Sequence, residues 1–498
     1  MRRRLFHLRI AAPAHLRVLM LVLICTCALW PSGCAARRTP DLDRIFAAAR
    51  MRPGKRPIIV IPGVLGSQLV NRKTREVVWP AVLRGSGDDL GLPMTPNLAA
   101  NCDDLVPEQI VDTIRLGRLV PIEIYVYREL IAALERYGGY RMGNWDQPPP
   151  GGDRDTFYVF AYDWRRDNVE TARALVRRVE ELKRKLNRPD LRFNIVAHSM
   201  GGLVARYAAM YGDADLPAAP QKPHPTWAGA AFINKVFMFG VPNEGSAEAF
   251  AALLDGYSVT EGLRPRVRLL NKLSREDICT APSIFQLLPH NGAARFLDEH
   301  LRPMKIDLYD PEVWRRYGWS AIFDPDFRER YVQRSESKGD GSAAKRTLED
   351  LDAYFAVVLG RAKQFHEAID AGSAGNAPVL FYAFGGDCEE TLAAPIILRD
   401  EKRNRWVTLT VPRAYHTSDG RRVSRKQAIS AMFEPGDGRV TRQSLLAQNM
   451  IYRRRTSLFN STLPITYVTF TCDLHSDLQK NKTLQDNALT LLVNELVD

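Results

Sequence analysis

The sequence predicts an α/β fold with a mostly parallel central sheet, helices on both faces and an inserted helical cap, and three observations support this class. Short apolar runs alternate with amphipathic segments between residues 57 and 239, as expected for right-handed crossovers between parallel strands. One apolar run, 193–197, leads through a serine directly into a helical pattern. After residue 243 the alternation stops for more than a hundred residues and resumes near residue 379, which predicts the cap.

Length and charge limit the classes of function. The 498 residues suit one large domain with insertions, or two to three ordinary domains. The formal net charge is +12, but five arginines lie in the first 34 residues, and without them it is +7. This balance predicts moderate attraction to anionic surfaces, membranes included, and no pattern of basic and aromatic residues indicates nucleic-acid binding. No spacing of cysteines predicts a zinc site, and we expect no metal.

The first 34 residues resemble an export signal. A basic start is followed by an apolar run over 18–30 and then by Pro31-Ser32-Gly33-Cys34. Thirteen residues are too few to cross a bilayer comfortably, which favours a signal peptide over a membrane anchor. The small pair before Cys34 resembles a lipoprotein cleavage site, so we expect an exported protein that is either anchored in the cell envelope through Cys34 or secreted.

Four cysteines remain beyond the signal region, at positions 102, 279, 388 and 472. Export would permit disulfides, and three complete pairings are possible. Cys388 and Cys472 each follow a predicted strand, which makes them the favoured pair. The alternative, four reduced and partly buried cysteines, stays open.

The predicted elements follow from local patterns. Each strand is a short apolar run bounded by turn residues, and the helix over 169–186 is indicated by apolar residues spaced three and four apart. A long irregular segment, 71–120, is predicted to be a flap over the site, with Trp79 as its notable residue. The strands are expected at 57–61, 157–162, 193–197, 235–239, 379–384 and 464–470, with a hairpin at 394–398 and 406–411, and further helices at 122–137 and 484–496.

The serine at the strand-to-helix junction is Ser199, and its surroundings predict a nucleophile elbow. Such a tight turn exposes the hydroxyl above a helix N-terminus, which favours developing negative charge. Small neighbours are needed because larger side chains would collide with the adjacent strand and helix. Ala197, Gly201 and Gly202 meet this need, although the usual first glycine of the Gly-x-Ser-x-Gly pattern is an alanine here.

A serine nucleophile requires a base, an acid and an oxyanion hole, and α/β-hydrolases order them Ser, Asp or Glu, His along the chain. His475 lies between the last strand and the last helix, which is the position of the base, whereas His198 is expected to point away from the elbow. Asp437, between two glycines, is the preferred acid. Asp387, directly after a predicted strand, is its rival.

The loop after the first strand is the expected second part of the oxyanion hole, with the backbone N–H of Val64 as donor; a tight turn without catalytic duty is the alternative. Trp164 lies in a Tyr-Asp-Trp-Arg run over 162–165. That run either shapes an acyl pocket or meets a phosphate, or else Asp163 and Arg165 brace the sheet edge through ion pairs. The aromatic cluster of Trp314, Trp319, Phe323 and Phe327 either binds lipid or fills the core of the cap.

Several motifs occur in an order that resembles the lecithin:cholesterol acyltransferase family, which includes lysosomal phospholipase A2 and phospholipid:diacylglycerol acyltransferases. The resemblance covers roughly residues 55–498. The motifs are Ile-Ile-Val-Ile-Pro-Gly-Val-Leu-Gly-Ser (58–67), Tyr-Asp-Trp-Arg (162–165), His-Ser-Met-Gly-Gly (198–202), Gly-Val-Pro-Asn-Glu-Gly-Ser (240–246), Ser-Ile-Phe-Gln-Leu-Leu-Pro (283–289) and Gly-Asp-Gly-Arg-Val (436–440), together with His475.

The interrupted alternation divides the chain into core segments at 55–243 and 377–498 and a cap or lid at 244–376. The resemblance implies an α/β-hydrolase fold. It implies Ser199 as nucleophile, His475 as base and Asp437 rather than Asp387 as acid. It also implies an oxyanion hole formed by the N–H groups of Val64 and Met200, and acyl-chain binding by the cap and the loop near Trp79.

The expected activity is that of a lipase, phospholipase or O-acyltransferase that uses no cofactor and meets its lipid substrate at a membrane surface. Two alternatives stay open: a thioesterase or deacylase of lipidated protein, and a catalytically inactive exported lipid-binding protein. The sequence makes no prediction of oligomeric state.

Overall fold

The structure is a computed structural model that describes residues 39–80, 90–111, 113–116, 122–125, 127–218, 220–258, 272–337, 347–372, 377–447 and 463–497. The expected signal peptide, 1–34, lies outside these residues. Within them, no helix is both long enough and apolar enough to cross a membrane.

From Leu42 onward the chain forms one compact unit, and a seven-stranded sheet lies at its centre. From one edge to the other, its strands are β7 (Ile465–Thr471), β6 (Leu380–Gly386), β5 (Ile233–Phe239), β4 (Phe193–His198), β1 (Ile58–Ile61), β3 (Thr156–Val159) and β2 (Arg141–Met142). Every neighbouring pair is parallel. This arrangement confirms the predicted α/β class.

Both faces of the sheet are covered because successive side chains of a strand point to opposite sides. Ile59 and Ile61 pack in the same apolar cluster as the helices Asn168–Lys185 and Met200–Tyr211. Ile58 and Val60 pack in a second cluster with the helices Arg128–Arg136 and Lys482–Val493. All four residues of β1 are therefore buried and apolar, as expected for a central strand of a parallel sheet. The helices of more than one turn are α1 (Arg128–Arg136), α2 (Asn168–Lys185), α3 (Met200–Tyr211), α4 (Ala247–Asp255), α5 (Pro311–Tyr317), α6 (Pro325–Ser337), α7 (Leu348–Asp370), α8 (Arg425–Met432) and α9 (Lys482–Val493).

A largely helical segment containing α4 to α7 lies between β5 and β6, although these two strands are neighbours in the sheet. The predicted hairpin is also present, as Ile396–Asp400 and Arg405–Leu409, and joins a four-stranded sheet with Phe296–Leu297 and Pro303–Met304. The hairpin, which lies beyond residue 376, is thus paired with the segment inserted between β5 and β6.

The cap aromatics form a core of their own. Trp314 and Trp319 are completely buried, pack edge to face with ring centroids 5.8 Å apart, and both contact Phe250 of α4. Phe327 is also buried. These rings stabilise the inserted segment, which is the commoner use of such residues, and they are absent from the cavity described below.

One predicted helix is wrong in its first part. Residues 122–125 form a strand that pairs antiparallel with Thr113–Leu116, and α1 begins only at Arg128. The alternation Ile-Glu-Ile-Tyr over 122–125 has the period of a strand. Because the helical pattern of α1 follows directly, the predicted helix wrongly included these four residues.

The remaining elements are short. Single helical turns lie at Leu42–Ile45, Arg275–Ile278, Pro282–Phe285 and Arg442–Leu445, and 3₁₀ turns at Ala49–Met51, Leu98–Ala100, Ala228–Ala231, Asn291–Ala293, Ala321–Phe323 and Leu478–Lys480. Short strands lie at Ser67–Asn71, Val77–Trp79, Leu105–Ile110, Tyr257–Ser258, Lys272–Leu273, Glu389–Leu392, Tyr415–His416, Arg422–Val423 and Phe433–Gly436.

The ends of β6 and β7 are joined covalently. Cys388 and Cys472 form a disulfide with Cα atoms 5.0 Å apart, as favoured from their positions after predicted strands. Cys102 and Cys279 are free thiols, the first exposed and the second buried. The disulfide ties together the end of β6, which Asp387 directly follows, and the end of β7, whose loop carries His475.

Candidate active site

Ser199 occupies a sharp turn between β4 and α3. Its φ of 52° and ψ of −129° lie in a region that side chains rarely adopt, as expected for a nucleophile elbow. The turn is held by hydrogen bonds from the Ser199 N–H to the Phe239 carbonyl (2.8 Å) and from the Gly202 N–H to the Ser199 carbonyl (2.9 Å).

Two positions beside this turn have no space for a side chain and require glycine. A Cβ atom on Gly202 would lie 2.1 Å from Val241 Cγ2, and one on Gly201 would lie 2.3 Å from the Pro62 carbonyl oxygen. Both distances are far below van der Waals contact, and Pro62 is part of the packed turn after β1. The small residues noted in the sequence therefore allow the elbow to approach its neighbours.

His475 and Asp437 form a hydrogen-bonded pair. The His475 Nδ1 lies 2.8 Å from Asp437 Oδ2, and the His475 N–H donates to the Asp437 carbonyl at 2.8 Å. The other carboxylate oxygen, Oδ1, accepts the N–H groups of Arg439 (3.0 Å) and Val440 (2.7 Å), which fixes the carboxylate plane. The carboxylate is 2% exposed, so its charge acts on the imidazole with little solvent screening.

This contact determines which imidazole nitrogen is available. With Nδ1–H donated to a buried carboxylate, Nε2 of His475 is the nitrogen that can accept a proton. Ser199, Asp437 and His475 all line one cavity. The structure thus brings together three of the residues that the sequence proposed for catalysis.

Asp387 lies apart from this pair. Its N–H bonds to the carbonyl of Thr471, the last residue of β7, and its carboxylate pairs with Arg442, whose side chain is half-exposed. Asp387 does not line the cavity. Asp387 therefore does lie at the strand end, as predicted, but its carboxylate pairs with Arg442 and not with His475.

The oxyanion candidates lie at two backbone turns. Val64 follows β1 in a turn closed by a hydrogen bond from the Gly66 N–H to the Gly63 carbonyl (3.0 Å), and Val64 lines the cavity. Met200 is the first residue of α3, where an N–H has no acceptor within its own helix. Both positions can offer a backbone N–H to an anion.

Two aromatic side chains support the first of these turns. The Trp79 indole N–H donates to the Leu65 carbonyl at 2.8 Å, and the Tyr162 hydroxyl donates to the Pro62 carbonyl at 2.8 Å. Trp79 also packs edge to face on Trp164, with ring centroids 5.9 Å apart, and both rings line the cavity. Trp79 therefore braces the turn as well as forming part of the wall, a role that its position in an irregular segment did not reveal.

The cavity has a volume of about 690 Å³ and a wall that is mostly apolar. Its walls come from the turns after β1 and β4, from α4, from the motif at 283–289 and from the loop after β7. This size suits an acyl chain or a small lipid. The apolar lining residues include Val64, Leu65, Trp79, Leu90, Trp164, Pro242, Ala249, Ala252, Ile278, Ile284, Leu287 and Leu474.

Arg165 acts as a brace rather than as a free cation. Its guanidinium is 1% exposed and bonds to the carboxylates of Asp103 (2.6 Å) and Asp163 (2.8 Å) and to the Leu90 carbonyl (3.1 Å). Two carboxylates offset its charge, and these contacts join the end of the sheet to the segment after Trp79. The ion-pair interpretation of the 162–165 run is confirmed.

Two side chains near the reacting groups were missed. His198, expected to point away, contacts the His475 carbonyl, and Tyr127 contacts His198. Tyr127 lies about seventy residues before the elbow, at the start of α1, and no local pattern marks it. Among the described residues, no group of three or more histidine, cysteine, aspartate or glutamate side chains is arranged to hold a metal.

Glu244 lies buried in the turn that leads from β5 into the inserted segment. Neither carboxylate oxygen makes a well-formed hydrogen bond within the described residues. Burial raises the pKa of Glu244 to about 7; His290, Gln443 and Arg206 oppose this effect, and the Asp370 charge adds to it. A carboxyl group whose folded pKa is raised stabilises the fold below its unfolded pKa near 4.5, and this stabilisation is lost as the pH rises through 7.

We therefore expect Glu244→Gln to raise the thermal unfolding midpoint at pH 8 by a few degrees and to leave it nearly unchanged at pH 4.5. The neutral amide avoids the cost of burying a carboxylate at pH 8. Thermal unfolding followed by circular dichroism at both pH values measures the effect, with Glu349→Gln on the half-exposed first turn of α7 as control. An equal shift at both pH values would contradict the assignment to Glu244 ionisation.

Comparisons with known proteins place this site in context. No curated protein matches the chain significantly. The crystal structure of a Tle4–Tli4 complex is 14% identical, covers 88% of this chain and 98% of its own, and has a TM-score of 0.46. The mature lipase BlEst2 of Bacillus licheniformis is 10% identical over 89% and 93% of the two chains, with a TM-score of 0.29. EstA from Clostridium botulinum is 11% identical over 90% and 89%, with a TM-score of 0.32.

These structural likenesses are distant, and the fold assignment depends on the sheet order and the elbow of this chain. The family comparison is more specific. Residues 150–317 match the model of the lecithin:cholesterol acyltransferase family, and this segment contains the Tyr-Asp-Trp-Arg, His-Ser-Met-Gly-Gly and Gly-Val-Pro-Asn-Glu-Gly-Ser motifs. The resemblance inferred from the motifs is thereby confirmed: through residues 150–317, this chain matches the lecithin:cholesterol acyltransferase family.

Proposed function

We propose that this chain is a serine-dependent acyl hydrolase or acyltransferase that takes a fatty acyl group from a lipid ester. The observation that supports this most is the Asp437–His475 pair, with Nδ1 and Oδ2 2.8 Å apart, on an apolar cavity that Ser199 also lines. The family match over residues 150–317 supports a lipid acyl substrate.

In the proposed reaction, the Ser199 hydroxyl oxygen attacks the ester carbonyl carbon while His475 Nε2 accepts its proton. Asp437 stabilises the imidazolium, and the N–H groups of Val64 and Met200 stabilise the oxyanion. The ester C–O bond then breaks, and His475 returns the proton to the leaving alcohol, which leaves an acyl group on Ser199. Water or a second alcohol then attacks the acyl carbon while His475 accepts its proton, the bond between the acyl group and Ser199 Oγ breaks, and His475 returns the proton to the Ser199 oxygen. No metal or cofactor takes part.

The site of action follows from the substrate. Lipid esters lie in membranes, and we propose that the chain meets its substrate at a membrane surface. From its first 34 residues we also propose an exported protein, either held in the cell envelope through Cys34 or secreted. Fractionation of cells that express the full chain and its Cys34→Ala variant tests this, because loss of Cys34 would release a lipid-anchored protein.

The proposed activity is tested with a fluorophosphonate probe and with phospholipid vesicles that contain a long-chain alcohol. We expect labelling of Ser199 and the appearance of lysophospholipid. Mass spectrometry of the second product separates the acceptors: free fatty acid indicates water, and a fatty ester indicates acyl transfer. A protein that binds lipid but neither labels nor releases an acyl product would contradict the proposal and support the non-catalytic alternative.

A thioesterase or deacylase of lipidated protein would use the same residues and would also label. Parallel assays on phospholipid, triglyceride and acyl thioester distinguish it. Faster turnover of the thioester than of every oxygen ester would favour that alternative.

A further inference from the structure

Three polar contacts join the loops on either side of the elbow. The Tyr127 hydroxyl oxygen accepts the Gly63 N–H at 2.7 Å and lies 2.8 Å from His198 Nδ1. On the other side of the same ring, His198 Nε2 lies 3.1 Å from the His475 carbonyl oxygen. Both side chains are buried, with Tyr127 1% and His198 7% exposed.

Only one placement of hydrogens satisfies all three contacts. The His475 carbonyl can only accept, so His198 Nε2 must carry the proton. Nδ1 then accepts a hydrogen bond from the Tyr127 hydroxyl, and the Tyr127 oxygen accepts one from the Gly63 N–H. The opposite tautomer would place Nε2 and the carbonyl oxygen together as two acceptors without a hydrogen between them.

The ionisation of both groups is consistent with this placement. Burial lowers the pKa of His198 to about 3, and the neighbouring His475 adds to the effect, so the ring is neutral at physiological pH. Burial raises the pKa of Tyr127, which keeps its hydroxyl protonated. A neutral ring with both nitrogens occupied is a poor base, so His198 is not itself a proton acceptor for the reaction.

The chain of contacts reaches the two loops that carry reacting groups. Gly63 directly precedes Val64, whose N–H is a proposed oxyanion donor, and His475 is the proposed base. The His475 peptide is bound at both ends, because its N–H donates to the Asp437 carbonyl and its carbonyl accepts from His198. His198 directly precedes Ser199, so both loops are held in position relative to the elbow.

We propose that Tyr127 and His198 are positioning residues that hold the oxyanion turn and the base loop in register with Ser199. This inference depends on the proposed acyl-transfer function. Both residues contribute to the cavity wall, but their polar atoms are engaged by protein groups and not by the reacting atoms. Their effect is geometric: displacement of a catalytic group by about 1 Å is enough to lower turnover strongly.

The test uses variants that remove the contacts one at a time. Tyr127→Phe removes the hydroxyl. His198→Asn offers an amide oxygen near the position of Nδ1, His198→Gln offers an amide N–H near that of Nε2, and His198→Phe offers neither. Tyr158→Phe is the matched control, because Tyr158 is also fully buried and donates one hydrogen bond, at 2.9 Å, to the Gly152 carbonyl, and it does not line the cavity.

For each variant, we would measure the thermal midpoint, the rate constant for fluorophosphonate labelling, and kcat and KM on a p-nitrophenyl ester. We expect Tyr127→Phe to lower kcat and the labelling rate about tenfold and His198→Phe roughly a hundredfold, with KM within about twofold of the wild-type value. His198→Gln and His198→Asn should each recover part of the loss. Tyr127→Phe combined with His198→Phe should cost less than the product of the single effects, because the two side chains share a contact.

Three results would overturn the positioning role. In the first, the wild-type protein is labelled and every Tyr127 and His198 variant has a labelling rate within about twofold of the wild-type rate. This result would leave the proposed function intact. Another is an equal loss of kcat in Tyr158→Phe at a matched drop in thermal midpoint, which would indicate a general packing effect. Absence of labelling in the wild-type protein would instead reject the proposed function, and the positioning role with it.

Discussion

Ser199→Ala is expected to lower kcat/KM for ester substrates by roughly 10⁴-fold or more and to abolish labelling by a fluorophosphonate. Without the hydroxyl no acyl-enzyme forms, and only binding and the oxyanion donors remain to assist direct attack by water. Alanine retains the Cβ atom of serine, so the elbow at φ 52° gains no new clash. Initial rates on a short p-nitrophenyl ester and on phospholipid vesicles measure the loss.

The control for this substitution is Ser476→Ala, a second serine on the wall of the same cavity. It removes one hydroxyl of the same size without a proposed role in the reaction, and we expect activity within about threefold of the wild-type value. Near-normal activity of Ser199→Ala would reject the nucleophile assignment, whatever the control shows.

Asp437→Asn is expected to lower kcat roughly 10³- to 10⁴-fold while the protein stays folded. The amide can turn an N–H toward His475 Nδ1, which would favour the tautomer that carries its proton on Nε2 and cannot accept the serine proton. The amide also lacks the charge that stabilises the imidazolium. Asp387→Asn is the matched comparison, and we expect it to change kcat by less than about threefold, because its carboxylate pairs with Arg442 outside the cavity.

Steady-state kinetics of both variants, with circular dichroism as a check on folding, decide between the two carboxylates. A large loss in Asp387→Asn together with near-normal turnover in Asp437→Asn would reverse the assignment. A large loss in both would indicate that the disulfide-linked ends of β6 and β7 act as one structural unit, since Asp387 lies beside Cys388.

Local sequence was sufficient for the elbow, where the signal and the structure lie within about twenty residues. The strand, serine and helix at 193–207 were predicted from apolar alternation and from small residues, and the structure places β4, the strained Ser199 and α3 there. The pairing of Cys388 with Cys472, 84 residues apart in sequence, was favoured only by their positions after predicted strands. Over 122–125, by contrast, a strand pattern adjoining a helical one was merged into it.

The sequence was enough to predict the class of fold, the elbow and a short list of candidates for the base and the acid. It favoured Asp437 for its flanking glycines but did not exclude Asp387, which directly follows a predicted strand of the central sheet. Only the tertiary structure distinguished them, since the turn at 437–440 binds one carboxylate oxygen and directs the other to His475. The Tyr127–His198–His475 contacts likewise span up to 277 residues of sequence, and they exist only because the sheet brings the ends of β1, β4 and β7 to one edge.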